Sequence, residues 1–440
     1  MSMGEPENIA AFKSWLAANG ASVHPDVHFE PVSAGFNVVA RNDVPADTAV
    51  VSIPFSLAIT PDLAKKALLK SFAASGNASV AELGGLSERQ LVCTYVCMHW
   101  IADPSSSKDA LRHGPYIDTL PSSDKLRTPL HFTSVELEAF RGSNLYGAAL
   151  DRRRDWENEW EQCKSLVGAA NSAWGERLTW DKYLTASTYL SSRAFPSTIL
   201  SESPTLVTTP SSYPVLLPGI DALNHARAHP VSWVVTSGQD AALTEPSISL
   251  MIHTATPRGG ELLNNYGPKP NSELILGYGF SLPNNPDDTI VLKIGGPSAA
   301  SSALGSQSAG SGSSPGRWEV GRNARGTEPV WEAVLSAVRA QDEDEEDDEL
   351  GDSVEDELCA ADMLADMAQN LYDRLPPFPP ANASDMRPEV VQMLDHYLEG
   401  QRDILQSLVA FARDKEGTRA TARSGTGSRH RRRGRRRGRS

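Results

Sequence analysis

The spacing of apolar residues along this chain changes its period twice. Phe12, Trp15 and Leu16 mark one face of a short amphipathic helix within residues 1–20. Segments 37–40 and 49–53 are rich in β-branched residues and flank the turn-like 42–47, so residues 21–60 read as short strands. From 61 to about 190 the period becomes helical, in 63–72, 88–100, 135–140 and 148–167. Strand-like runs return at 215–217, 232–235, 248–253 and 289–294, broken by Gly, Pro and Asn. A β-rich fold is therefore interrupted by helices. Residues 295–317 are Gly, Ser, Ala and Pro with almost no large apolar side chain, which predicts a flexible linker at a domain boundary. Beyond it, 331–338, 358–371 and 388–411 are again helical, and Val390, Leu394, Tyr397, Ile404, Leu408 and Phe411 can share one stripe. The pattern predicts an α+β chain: a β-rich part split by a helical insertion over 61–190 and resumed over 191–294, then an all-α domain over 318–415.

Composition adds three constraints. A chain of 440 residues is too long for one core and implies two or three domains. No run approaches the ~20 consecutive apolar residues that a membrane-spanning helix needs, and the start lacks the order of a secretory signal, so a soluble protein with no membrane partner is expected. Four cysteines without framework spacing point to a reducing compartment, cytoplasmic or nuclear. Cys93 and Cys97 lie one helical turn apart with His99 nearby, but Leu91, Val92, Tyr95, Val96 and Met98 around them favour a buried helix over a metal site.

The net charge of −14 conceals a separation of sign. The run 342–349, within an expected acidic loop over 342–356, is wholly acidic, and residues 416–440 end in an Arg-rich tail from Arg429 to Arg439. Both are too polar to bury and are expected to be solvated, the tail disordered. For the tail, a nuclear address ranks first, a weak electrostatic contact with RNA second and a plain solvated end third. For the acidic run, a solvated loop is favoured over a surface for a basic partner.

Several catalytic motifs can be weighed and set aside. Residues 310–316 (GSGSSPG) nearly spell a dinucleotide loop, but Pro315 replaces the third glycine and no helix follows to meet a pyrophosphate. Asp221, His225 and His229 stand four residues apart, as metal ligands on a helix can. Pro218, Gly219 and Pro230 leave little room for that helix, and no Glu sits beside a His as a hydrolytic base, so no metal is assigned. Neither a Gly-x-Ser-x-Gly elbow nor a P-loop occurs.

What remains is LLPGIDALNH (216–225) followed by NNYGPKPNSELILGYGF (264–280). These segments resemble the two hallmark segments of SET domains, in the branch with a helical insertion that includes plant Rubisco large-subunit methyltransferases, fungal ribosomal-protein lysine methyltransferases and animal actin-histidine methyltransferases. Segment 34–54 is similar to the family's opening β segment, 113–137 to its insertion, and SSRAF (191–195) to the Ser-Arg stretch before the first hallmark. The helical C-terminal domain resembles the substrate-binding domain of these enzymes. Two departures stand out: Gly35 is followed by Phe36 and Asn37, so a second glycine usual in the opening loop is missing, and the Cys-rich zinc cluster of many histone methyltransferases is absent.

The resemblance implies S-adenosylmethionine as methyl donor, held by Asn224 and His225, by Asp221, Ala222 and Leu223 before them, by Arg193 at its methionine end, and by Tyr266, Tyr278, Gly279 and Phe280. It makes Tyr266 the catalytic tyrosine, and Tyr266 with Tyr278 the walls of a substrate-lysine pocket. It implies a protein-lysine N-methyltransferase acting as a monomer on a non-histone protein, a ribosomal protein among the options. Histidine methylation, or an inactive SET scaffold that binds a partner protein, are the alternatives. The chemistry suits tyrosines, since transfer needs a neutral amine and a lysine of reference pKa ~10.4 is almost wholly charged near neutral pH. Tyrosine offers apolar walls and an orienting hydroxyl without a carboxylate to hold the proton on.

Overall fold

Buried apolar side chains gather into two clusters, one in each of two units of the chain. The computed structural model describes residues 5–75, 80–103, 110–237, 245–294, 317–340 and 352–433. The first unit takes in Met1–Phe132, Ala148–Pro268 and Ile275–Gly279, and the second Thr133–Gly147, Lys269–Leu274 and Phe280–Ser440.

In the first unit the strands are β1 (Ser22–Val23), β2 (Val27–Val32), β3 (Gly35–Ala40), β4 (Thr48–Pro54), β5 (Phe195–Pro196), β6 (Pro214–Val215), β7 (Val231–Thr236) and β8 (Ser247–Ile252). Four of them form an antiparallel sheet in the order β1-β4-β8-β7. Alternation along β8 puts Ile248, Leu250 and Ile252 into the core. In β4 the register slips between Ala49 and Val51, and that bulge lets the consecutive Val50 and Val51 both be buried. β2 and β3 make a separate hairpin, Val27 opposite Ala40 and Val32 opposite Gly35, while β5 pairs with β6.

The helices between these strands start on signals present in the sequence. Thr60 Oγ1 accepts the Leu63 N–H at 3.2 Å to cap Pro61–Ala74, and Ser87 with Gln90 forms a capping box at the start of Glu88–Ile101. Every residue from Leu91 to Met98 is buried, so Cys93 and Cys97 are core side chains, and burial pushes the Cys93 thiol up to about 12. Thr179 caps Trp180–Arg193, the helix that ends on Arg193.

The second unit pairs β9 (Thr289–Lys293) with β10 (Arg317–Gly321), antiparallel. Its helices Thr327–Arg339, Asp352–Arg374 and Pro388–Arg433 bury Val330, Val334 and Val338, Leu364 and Ala368, and Ile404, Leu408 and Ala412 at four-residue spacing. Arg322 draws together Asp288, Glu399 and Asp403.

Several expected boundaries move. β10 begins at Arg317, where the linker was expected to end, because Trp318 and Val320 are enough for an edge strand once β9 offers a partner. Residues 352–356, expected in the acidic loop, open the helix Asp352–Arg374, and acidic residues suit a helix N-terminus. The helix Pro388–Arg433 extends through 416–433, expected as disordered tail; a helix already formed propagates at one hydrogen bond per residue. The remainder of the linker (295–316), of the acidic loop (342–351) and of the tail (434–440) lies outside the described residues. Segments 133–147 and 269–274, expected in the insertion and in the resumed β part, group with the second unit. Phe140 packs on Tyr397, and the Asn271 N–H donates to Asp288 Oδ1 at 2.7 Å.

Glu136 ties segment 133–147 into that unit. Its carboxylate is fully buried, accepts the Thr133 N–H at 2.9 Å as part of a capping box, and takes Arg387 Nε and Nη2 at 2.7 and 2.6 Å. Burial by itself raises this carboxyl, but the Arg387 guanidinium and the backbone amides outweigh it and hold the carboxyl below its ordinary range. A lowered folded-state pKa gives stability that is present above the unfolded value and lost as pH falls through the folded one. Glu136→Gln is therefore expected to cost about 3 kcal/mol at pH 7. In urea titrations the gap between wild type and variant should narrow as the pH falls through the folded-state pKa of Glu136; a gap of constant size down the acid range would assign the loss to packing instead.

Candidate active site

The first element of the site is the turn that follows β6. Gly219 has φ +91°, and a Cβ there would come within 3.3 Å of Val51 Cγ1, so glycine lets the chain turn sharply against β4 into the 3-10 turn Ile220–Ala222. The turn presents Asp221 inward. Its carboxylate accepts the Tyr116 hydroxyl at 2.6 Å and the Gly219 N–H at 3.1 Å, and faces Arg193 Nη1 at 3.5 Å. Arg193 Nη1 also donates to the Asp221 carbonyl at 3.0 Å, so the last residue of one helix is pinned to this turn. Burial raises the Asp221 carboxyl above its ordinary range, with Arg193 and Tyr116 pulling the other way. Burial, then the neighbouring carboxylate, pushes the Tyr116 phenol well up, so it stays a donor. Arg193, Asp221 and Ala222 share a narrow pocket with Gly35, Phe36 and Gly219.

The second element is a short parallel bridge between His225 and Asn264. The Asn264 N–H donates to the Asn224 carbonyl and the Ala226 N–H to the Asn264 carbonyl, both at 2.8 Å. This bridge lays residue 266 beside 223–225. The Tyr266 N–H donates to His225 Nδ1 at 3.0 Å, and the Tyr266 hydroxyl donates to the Leu223 carbonyl at 2.8 Å. The Tyr266 ring stacks on His225 at 5.0 Å on one side and on Tyr278 at 5.3 Å on the other, with interplanar angles of 28° and 25°. Burial raises the Tyr266 phenol, keeping it protonated across the neutral range. Asn224 Nδ2 reaches Asn37 Oδ1 at 3.0 Å and Glu261 Oε1 at 2.8 Å, which joins the β3 hairpin to the site. Asn264 itself is fully buried, and its Nδ2 has no hydrogen-bond partner among the described residues.

Tyr278 is placed by the π-turn Leu274–Tyr278, whose Leu276 and Gly277 carbonyls accept Arg152 Nη1 at 2.9 Å and Ser191 Oγ at 3.1 Å. Gly279 follows at φ +79°, where a Cβ would lie 2.8 Å from the Arg127 carbonyl carbon.

Of the residues singled out in the sequence, Arg193, Asp221 and Ala222 line the pocket. Leu223, Asn224, His225, Tyr266 and Tyr278 form the adjoining bridge and ring stack, with Gly279 behind Tyr278. Phe280 falls in the second unit. Sequence reasoning passed over Tyr116, Asn37, Glu261 and Asn264. Tyr116 lies inside the insertion segment HGPYIDTLP and Asn264 inside NNYG, but nothing in their spacing announces a buried carboxylate or a shared bridge. The opening loop, despite lacking its second glycine, still brings Gly35 and Phe36 to the pocket. Asp221 is committed to Tyr116 and Arg193 rather than to His225 and His229, and no cluster of three metal-binding side chains occurs among the described residues.

No family model matches the chain. It is 33% identical over 282 residues to a ribosomal lysine N-methyltransferase of Schizosaccharomyces pombe, covering 63% of this chain and 46% of that protein. It is 23% identical to the actin-histidine N-methyltransferase of Mus musculus, covering 64% and 43%. The chain spans about half the length of these curated relatives. Among solved structures, the SET domain of LSMT bound to lysine and AdoHcy superposes with a TM-score of 0.68 at 16% identity, covering 94% of this chain and 93% of that one. The chain thus has the SET-domain fold with a helical C-terminal region, and its sequence is similar to that of SET-type protein methyltransferases.

Gly279→Ala should reveal how tightly the turn behind Tyr278 is set. A positive φ and a backbone contact below van der Waals distance together predict a loss of about 2 kcal/mol or more. A melting temperature equal to that of wild type would show that the turn relaxes freely.

Proposed function

We propose that this chain is an S-adenosylmethionine-dependent protein-lysine N-methyltransferase, acting as a monomer on a non-histone protein of the cytoplasm or nucleus. A ribosomal protein is the substrate class we favour, supported by the similarity to the fission-yeast ribosomal lysine methyltransferase. The observation that carries the reading is the continuity of the site: residues 221–225 supply the charged wall of a pocket at one end and the stack of His225, Tyr266 and Tyr278 at the other. The residues suit the methyl donor. Its methionine end is a zwitterion, and the pocket wall carries both a guanidinium, Arg193, and a carboxylate, Asp221.

Bound there, S-adenosylmethionine supplies a methyl group on a sulfonium. The chain's own task is to bring in a lysine and keep it neutral, because a charged ammonium has no lone pair to offer. At a reference pKa of ~10.4, only roughly one free lysine in a thousand is neutral near pH 7.4, a handicap of about 4 kcal/mol. Aromatic walls disfavour the ammonium by desolvation without supplying a carboxylate that would hold its proton. The Tyr266 hydroxyl spends its proton on the Leu223 carbonyl, so its oxygen is left as an acceptor for an amine N–H. Arg193 and Asp221 hold the floor of the site through mutual pairing and exclude water by burial.

Similarity to the actin-histidine enzyme supports one other acceptor, an imidazole, which is already largely neutral at pH 7. Labelling of a hypomethylated extract of the source organism with radioactive S-adenosylmethionine, followed by identification of the band, separates the two readings. Loss of label on a Lys→Arg change in the identified protein supports lysine; retention of label, with loss on changing a histidine, replaces lysine by histidine. Calorimetric titration with S-adenosylmethionine that gives no heat and no thermal shift would leave only a partner-binding scaffold. Tyr266→Phe is expected to lower turnover by about 100-fold or more while leaving methyl-donor affinity nearly unchanged. An unaltered rate would remove the hydroxyl from the mechanism.

A further inference from the structure

Gly219, Tyr116 and Arg193 converge on the Asp221 carboxylate, and they share it unequally. Oδ1 accepts the Gly219 N–H at 3.1 Å, while Oδ2 accepts the Tyr116 hydroxyl at 2.6 Å and faces Arg193 Nη1 at 3.5 Å. A guanidinium free to close on a carboxylate does so at about 2.7–2.9 Å, often through two parallel bonds. At Asp221 the phenol holds the short bond and the arginine the long one.

Arg193 is therefore left half used. Its Nη1 donates to the Asp221 carbonyl at 3.0 Å, whereas Nε and Nη2 donate to no group among the described residues. The Arg193 side chain is 25% exposed and that of Asp221 1%, so the guanidinium is the part of the pair that opens on the pocket both line with Tyr116. The Tyr116 ring packs against Phe12 at 6.1 Å, a contact that needs no hydroxyl; what the hydroxyl adds is its hold on Asp221 Oδ2. Open guanidinium donors are what an anionic group requires, and the methionine end of S-adenosylmethionine carries a carboxylate. A guanidinium closed on Asp221 would have spent those donors.

We propose that Tyr116 is a positioning residue for the methyl donor: by occupying Asp221 Oδ2 it keeps the Arg193–Asp221 pair from closing, and so leaves Arg193 open to the carboxylate of the donor's methionine end. This rests on the methyltransferase reading above and adds to it a residue that acts through two others.

The test is calorimetric titration of the full chain, wild type and Tyr116→Phe, with two ligands: S-adenosylhomocysteine and its decarboxylated analogue, which keeps the nucleoside, thioether and amine. Closure of the pair predicts that Tyr116→Phe binds S-adenosylhomocysteine about tenfold more weakly. The analogue should bind wild type and variant within about twofold of each other. A loss of equal size on both ligands assigns the hydroxyl to folding alone and overturns the proposal, as does an unchanged affinity for S-adenosylhomocysteine. Wild type that fails to bind S-adenosylhomocysteine overturns the methyltransferase reading and this inference with it. A second variant asks whether the effect passes through Arg193. In an Arg193→Gln background, Tyr116→Phe should change S-adenosylhomocysteine affinity by less than about twofold, and a further tenfold loss there overturns the route. A third measurement needs no variant at position 116. In wild type labelled with ¹⁵N-arginine, S-adenosylhomocysteine should shift the Nε–H signal that is missing from Arg193→Gln, and no such shift overturns the proposal.

Discussion

The candidate site depends on the bridge between two segments about forty residues apart in sequence. The backbone bonds between Asn224, Ala226 and Asn264 are few, yet they set everything downstream: with residue 264 locked beside 225, the Tyr266 N–H can reach the His225 ring and its hydroxyl can reach the Leu223 carbonyl. A tyrosine held at both its amide and its hydroxyl has little rotamer freedom left. The transfer proposed for this site would need such placement, because misplacement of an acceptor by about 1 Å can cost about 100-fold in rate.

The second determinant is electrostatic. The Arg193–Asp221 pair is buried on its acidic side, and pairs of this kind contribute little net stability once desolvation is counted. Its value lies in placement. Tyr116 donates to the same carboxylate from the helical insertion, so three segments remote in sequence meet on one side chain. A similar economy operates in the second unit, where Glu136 caps its own helix and also pairs with Arg387, and Arg322 gathers three carboxylates. Both units thus use charged groups to fix the register of segments remote in sequence.

Much of the molecule is legible from the chain alone. Period two against period 3.6 separates the β8 core strand from the Glu88–Ile101 helix, the caps Thr60, Ser87 and Thr179 mark helix starts, and the paired segments 216–225 and 264–280 carry the family resemblance. These are local properties: alternation, capping and turn chemistry act over a few residues, so a sequence displays them directly. β10 was missed because a five-residue edge strand carries too little pattern until β9 stands beside it. The breaks at 133–147 and 269–274 were missed because they follow from Glu136, Phe140 and Asn271 finding partners far along the chain.

For the site itself the division falls in the same place. The amino-acid sequence determined which chemical groups are present and, through short-range pattern, which elements hold them: Arg193 at a helix end, Asp221 in a glycine-led turn, Tyr266 before a glycine. Only the tertiary structure decided that Tyr116 donates to Asp221, that Asn37 and Glu261 share Asn224, that three rings stack, and that Asn264 is buried with a donor unmet. The physical reason is that hydrogen-bond satisfaction and burial are properties of pairs of groups in space, and no single stretch of chain contains both members of those pairs.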